Sequence, residues 1–262
     1  QASGTINFAQ GEFVMLPAFS MLIAMAVGLP LWAAFVVALI VSVLVLGMAF
    51  KRFIVDPMRA SGVISIVVAT LGLSIGLKSL VKAGYSAEPH PFPSVFGDEV
   101  FKLAGVTISY SDVGALLFAG LMVVGLQLFL NKTLTGRAMQ AVAQNTFSAE
   151  ALGINVKRMI FYTFAINAIL VTVTALLITP TYLAKFDMGD NIGLKAFFAA
   201  IIGGFNNSRG ALLGGVIVGV LENLVGAYIT PSYKDGVALA LFLAVILVKP
   251  DGLLGTPAER KV

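Results

Sequence analysis

The sequence has no cysteine, one histidine and one tryptophan, and only 11% of its 262 residues are charged. Without cysteine there is neither a disulfide framework nor a cysteine-ligated metal, although this says little about compartment. A soluble domain carries about 25% charged residues, so this chain has too few to cover a surface facing water. Missing too are the strands of about 10 residues with alternating polarity that mark an outer-membrane barrel. There is no initiator methionine and no succession of basic, apolar and small residues that would mark a signal peptide. What the chain has instead is apolar: 58% hydrophobic residues and a mean hydropathy of +0.96.

Several apolar runs reach the roughly 20 residues needed to cross a hydrocarbon core. Eight segments stand out, at 9–29, 31–50, 62–81, 112–130, 159–183, 192–205, 211–230 and 236–249. They predict an all-α polytopic membrane protein of about eight transmembrane segments, folded as a single transmembrane domain over 1–262. The first two segments meet at Gly28-Leu29-Pro30, a turn by its glycine and proline content. The short sixth and eighth suit tilting, half-insertion or burial among other helices. The chain begins at Gln1, directly before a motif, so a further helix is expected to precede it in the whole protein.

Orientation follows from the tendency of basic residues to stay in the cytoplasm. With loop 51–61 (Lys51, Arg52, Arg59) placed inside, alternation puts 131–158 (Lys132, Arg137, Lys157, Arg158), 206–210 (Arg209) and the C-terminus (Lys249, Arg260, Lys261) on the same side. Every arginine then falls inside. The opposite loops hold lysines and most of the acids: Glu88, Asp98, Glu99, Asp112, Asp187, Asp190 and Asp235. The net charge of +4 therefore reflects topology, not nucleic-acid binding. This consistency also favours the sixth segment as a full crossing.

The longest outer loop, 82–111, contains PHPFP, which resists helix, and the strand-like FKLAGVTIS. It is expected to form a small outer cap. His90 lies there without a second histidine nearby and reads as a solvated loop residue rather than a metal ligand or proton relay.

Four patterns bear on chemistry. GLSIGLKS, from Gly72, resembles a phosphate-binding loop, but the P-loop requires glycine directly before lysine. A small-residue packing face with Lys78 snorkelling outward is the simpler account. No metalloprotease, hydrolase or paired-carboxylate motif is present, so the chain is expected to be non-catalytic and to hold no metal. Gly210, Gly214, Gly215 and Gly219 form four-residue steps suited to close helix packing. Glu222 and Asn223 sit near the middle of the 211–230 segment, where a carboxylate costs about 3 kcal/mol and faces a partner, water or a pathway. Lys195 is a candidate partner, and structural pairing and a gating role both stay open. Finally, GRAMQAVAQNTFSAEALGINVKRM, Gly136 to Met159, is too long for a plain connection. It reads as short helix stopped at Gly153, either a solvated linker or a segment that docks into a partner.

That loop, the stretch GLKAFFAAIIGGFNNSRGALLGGVIVGVLENLVGAY and SYKDGVALALFLAVILVKPDGLLG together resemble the permease subunits of branched-chain amino acid ABC importers, in particular the shorter of the two permease types that pair there. The opening GTINFAQGEF resembles that family's INFAHGE segment, with Gln10 where histidine is usual. The resemblance runs in order through nearly the whole chain. It implies a multi-pass protein of the bacterial inner membrane with a cytoplasmic C-terminus. The implied partners are two cytoplasmic ABC ATPases that bind the ATP and magnesium, a second homologous permease, a periplasmic binding protein and membrane lipid, with no nucleic acid. It also implies an ATPase-coupling segment at Gln144, Asn145, Ala149, Glu150, Ala151, Leu152 and Gly153. The family includes urea, short-chain amide and broader amino-acid systems, so the solute is not fixed by the permease.

An ion-driven secondary transporter or channel is the rival, and it would be expected to show inverted repeats and paired broken helices. A zwitterionic solute needs hydrogen-bonding groups along its path. Asn7, Gln10 and Glu12, set between Gly4 and Gly11 at the mouth of the first apolar segment, are the first candidates, with Glu222 and Asn223 further along. Two readings of the opening stretch compete: a break between half-helices lining the path, and a capping turn at the membrane surface with Glu12 in the first helical turn.

Overall fold

The computed structural model describes residues 7–58, 62–97, 99–103, 106–204 and 207–255. Gly4, Thr5, Arg59, Asp98, Arg260 and Lys261, all used in the sequence reading, lie outside the described residues. The chain packs as two compact units, Gln1–Asp190 and Asn191–Val262, whereas its composition suggested no division.

In the first unit a short 3₁₀ turn, Phe8–Gln10, runs into α1 (Glu12–Ala26). After the Gly28 turn (φ +90°), one helical run extends from Leu31 to Met58. It consists of α2 (Leu31–Ser42), wider π-type turns over Val43–Ala49 and Lys51–Val55, and α3 (Asp56–Met58). Residues 51–58, expected to be loop, are therefore helical, and Lys51 closes onto Asp56 at 2.7 Å. The same unit contains α4 (Val63–Gly84), an antiparallel hairpin of β1 (Val100–Leu103) and β2 (Val106–Ser109), α5 (Tyr110–Lys132), α6 (Leu134–Gln144), α7 (Thr146–Ala151) and α8 (Val156–Tyr182).

Helix α1 is the centre of this unit. Of its span, Phe8–Ala26, 67% is buried, against 0% for Tyr110–Lys132, so α1 is enclosed by protein while α5 is left uncovered. Phe13, fully buried, meets Phe50 edge-on at 5.0 Å, and Phe50 meets Phe164 of α8 at 5.5 Å. Such edge-to-face pairs stabilise by about 1 kcal/mol beyond the area they bury. Gly47 lets its backbone approach α8, since a Cβ there would lie 3.5 Å from Ala165 Cα.

Within the loop 82–111 the strand-like segment does pair, Phe101 opposite Ile108. His90 is not the solvated residue expected. Its backbone bonds Ala184 in both directions at 2.9 Å, and its ring packs on Tyr85 at 5.1 Å.

α9 (Met188–Gly203) begins at the end of the first unit and continues into the second, followed by α10 (Ser208–Tyr228), a 3₁₀ turn at Pro231–Tyr233 and α11 (Lys234–Val248). Among the described residues, seven helices are long and apolar enough to cross a membrane. α9, the predicted sixth segment, has 16 residues. It spans about 24 Å at 1.5 Å per residue, short of the ~30 Å hydrocarbon core. The second unit packs Phe198 and Ile202 against Val218 and Ala238, with the Phe198 and Phe242 rings stacked at 4.7 Å. Leu253 and Leu254 donate to the last carbonyls of the α9 region, Ile202 and Gly203, at 2.8 and 2.9 Å. Those groups have no partner within the helix itself.

Candidate translocation site

Asn7 begins the site. Extended at φ −110° and ψ 106°, it caps the first turn, its Oδ1 accepting from Ala9 N–H at 3.0 Å. Gly11 is helical (φ −65°, ψ −46°), so the turn passes into α1 without a break at Gly11, while the residues before Asn7 lie outside those described. Glycine permits a break but does not require one, and here the cap at Asn7 starts the helix. Glu12 does occupy the first turn of α1.

This capped start is tied to two other helices. Phe8 N–H donates to Thr70 Oγ1 at 3.2 Å, and Thr70 lies about 10 Å along α4. Gln10 Nε2 donates to Asn167 Oδ1 at 3.0 Å, and Asn167 Nδ2 returns a bond to Gln10 Oε1 at 3.3 Å. Asn167 lies roughly 16 Å along α8. Asn7 Nδ2 also donates to Gln10 Oε1, at 3.4 Å. Both neighbours are thus well into their spans where α1 begins. Polar groups at that depth persist only when buried in protein or lining water, and here the amides satisfy one another across two helices.

Glu12 is 2% exposed. Ser74, also buried, lies beside its carboxylate. Lys78 does not snorkel outward: its Nζ lies 3.9 Å from Glu12 Oε1 and 2.7 Å from Asp190 Oδ1. Ion pairing within the fold replaces escape to the interface. Gly189 allows this closeness, because a Cβ there would stand 2.6 Å from Glu12 N. Thr70, Ser74, Asn167, Gly189 and Asp190 were not singled out as site residues. The available signal was Asn167 alone in the apolar TFAINAILV, and Ser74 and Lys78 four residues apart on one helix face.

In the second unit, Glu222 is the fifteenth of the 21 residues of α10, nearer its middle than its end. Its Oε2 receives Lys195 Nζ at 2.8 Å, Asp235 lies 3.6 Å from the same ammonium, and Oε1 is buried without a hydrogen bond. Asn223 is exposed and donates to Gly219 O at 2.8 Å. The glycine steps divide. Gly210 faces the Gly203 backbone and Gly214 the Ala199 carbonyl so closely that no Cβ fits. At Gly215 a Cβ would make an ordinary 3.9 Å contact with Ala199, and at Gly219 nothing described lies within 4 Å.

The loop 131–158 is mostly helix. Thr133 accepts from Gly136 N–H at 2.9 Å to start α6, and Asn145 accepts from Ser148 N–H at 3.0 Å to start α7. Ala149 is buried, while Gln144, Asn145, Glu150, Ala151, Leu152 and Gly153 are exposed. Gly153, at φ +83°, ends α7: its N–H bonds Glu150 O at 2.9 Å and Ile154 N–H bonds Ala149 O at 3.0 Å. This paired closure of the last turn favours glycine at the left-handed position. Phe147 and Leu152 project at 82% and 80% exposure, one large apolar side chain on the six-residue helix and one at its C-cap.

A family model described as "Branched-chain amino acid transport system / permease component" matches residues 1–246. The high-affinity branched-chain amino acid transport system permease protein BraD of Pseudomonas aeruginosa is 33% identical over 273 residues, covering 99% of this chain and 89% of that protein. The corresponding LivH of Escherichia coli K12 is 33% identical over 275 residues, covering 99% and 88%. LivH of Salmonella typhimurium is 34% identical over 274 residues, with the same coverage. No solved structure matches.

Proposed function

The chain belongs to the branched-chain amino acid transport system permease family, and on that premise we propose that it is the non-catalytic permease subunit of an ATP-driven importer moving branched-chain or related small amino acids. The observation that carries this reading is the polar start of α1, held at membrane depth by Thr70 and Asn167 inside a multi-pass helical protein. Asn7 and Gln10, both half-buried, can turn amide groups toward a zwitterion, and buried Glu12 sets a carboxylate beside Lys78. Glu222 and Asn223 are further candidates for the path.

Energy enters through α7. A short capped helix displaying Phe147 and Leu152 to solvent suits a cleft on a partner, and we assign Gln144 to Gly153 to docking on a cytoplasmic ABC ATPase. Two such ATPases bind the ATP and magnesium. A second homologous permease completes the pore, and a periplasmic binding protein delivers the solute. ATP-driven closure moves α7 and α6 as a body and rocks the membrane helices that follow, a hinge and shear transmission. The protein then sits in the bacterial inner membrane with its C-terminus in the cytoplasm.

The test is copurification of the tagged chain with two ATPases and a second permease, followed by amino-acid uptake in proteoliposomes. Uptake should cease when the Walker lysine of the ATPase is replaced. Uptake that persists on an ion gradient, with that lysine replaced, refutes the assignment in favour of an ion-driven transporter.

A further inference from the structure

Lys78 sits between two carboxylates that differ in freedom. Glu12, its side chain 3% exposed, is fixed at 3.9 Å from Nζ. Asp190, its side chain 54% exposed, is bonded at 2.7 Å. A pair open to water on one side is weakly held, because solvent and salt screen it. Among the described residues the ammonium donates one hydrogen bond, to Asp190, although it has three N–H groups to give. The Lys78 side chain is itself 23% exposed, so an anion can reach it from the side that Asp190 occupies.

Building on the proposed transport role of this site, we propose that Lys78 takes the carboxylate end of the transported amino acid in exchange for Asp190. The solute carboxylate displaces Asp190 from Nζ while Lys78 stays anchored over buried Glu12. The resting ion pair re-forms when the solute leaves. No covalent bond changes. A pair that serves only to brace α4 against Gly189–Asp190 depends equally on both partners. An exchanging pair does not, since only the lysine handles the solute carboxylate.

The experiment uses the complete importer in proteoliposomes with its binding protein, measuring radiolabelled leucine uptake and ATP hydrolysis in parallel. Lys78→Gln should lower uptake about tenfold or more, as expected for loss of one charge-assisted hydrogen bond. Asp190→Asn, which frees the lysine, should stay within about threefold of wild type. The swapped variant Lys78→Asp/Asp190→Lys restores an ion pair but should remain as poor as Lys78→Gln. Equal losses in the two single variants, recovery in the swap, or normal uptake in Lys78→Gln each overturn the exchange. If Lys78→Gln does not assemble, the other two variants decide: uptake lost in Asp190→Asn or regained in the swap overturns it. Wild-type importer that takes up no leucine refutes the proposed function as well, whereas wild-type uptake with symmetrical variants refutes only the exchange.

Discussion

Gln10 and Asn167, 157 residues apart, exchange two amide hydrogen bonds at 3.0 and 3.3 Å. The pair joins the first turn of the central helix to the interior of α8. It fixes how far into its surroundings α1 begins, and hence where Asn7 and Glu12 lie.

Breaking this pair should show coupling. Gln10→Ala and Asn167→Ala should each destabilise the protein by about 1 kcal/mol, and the double variant by less than the sum, since buried amide pairs in membranes couple by ~0.6 kcal/mol on average. Unfolding in mixed micelles measures it. Uptake should fall in Asn7→Ala and Gln10→Ala. If both leave uptake kinetics unchanged, the stretch is a capping turn with no part in transport.

Gly214 and Gly219 should respond oppositely to alanine. The Cβ at position 214 has nowhere to go but into the Ala199 carbonyl, so Gly214→Ala should cost a few kcal/mol. Gly219→Ala meets nothing described within 4 Å and should be neutral within about 0.5 kcal/mol. Detergent thermostability of the two variants distinguishes them.

Lys195→Met should leave the Glu222 carboxylate paired with no ammonium and cost about 3–5 kcal/mol. Adding Glu222→Leu should recover assembly, because removing both charges can be near neutral. Transport by the assembled double variant then separates the two roles: retained uptake marks a structural pair, and lost uptake marks a place on the path. Glu222→Gln that changes neither assembly nor transport removes both roles.

Gly153→Pro should uncouple ATP hydrolysis from uptake while the chain still inserts. Proline's φ is fixed near −65°, against +83° here, and it has no N–H for Glu150 O. Glu150→Lys, at an exposed position, should uncouple with less effect on stability. Gly153→Ala should cost only about 1 kcal/mol and retain coupling. Normal coupling ratios in the proline and lysine variants would remove this segment from the ATPase interface.

Local signals were legible where the physics is local. The apolar runs located the spans, Gly153 marked the end of α7, and Glu222 stood out as a carboxylate inside an apolar segment. Helix ends were read poorly at 51–58, because charged residues with good helix propensity carry a helix past its apolar run. Opposite-face glycines looked alike in sequence, yet Gly214 is sealed against Ala199 and Gly219 is open, since period alone does not say which face meets a neighbour.

The sequence by itself determined that the chain is helical and embedded in a membrane, and which polar groups that interior must accommodate, because hydrocarbon thickness and desolvation cost act on composition directly. Tertiary structure alone decided the pairings: Gln10 with Asn167, Lys78 between Glu12 and Asp190, Lys195 between Glu222 and Asp235. Those contacts depend on which helix faces pack together, and in a chain of nearly uniform apolarity the pattern of hydrophobic residues does not distinguish one face from another.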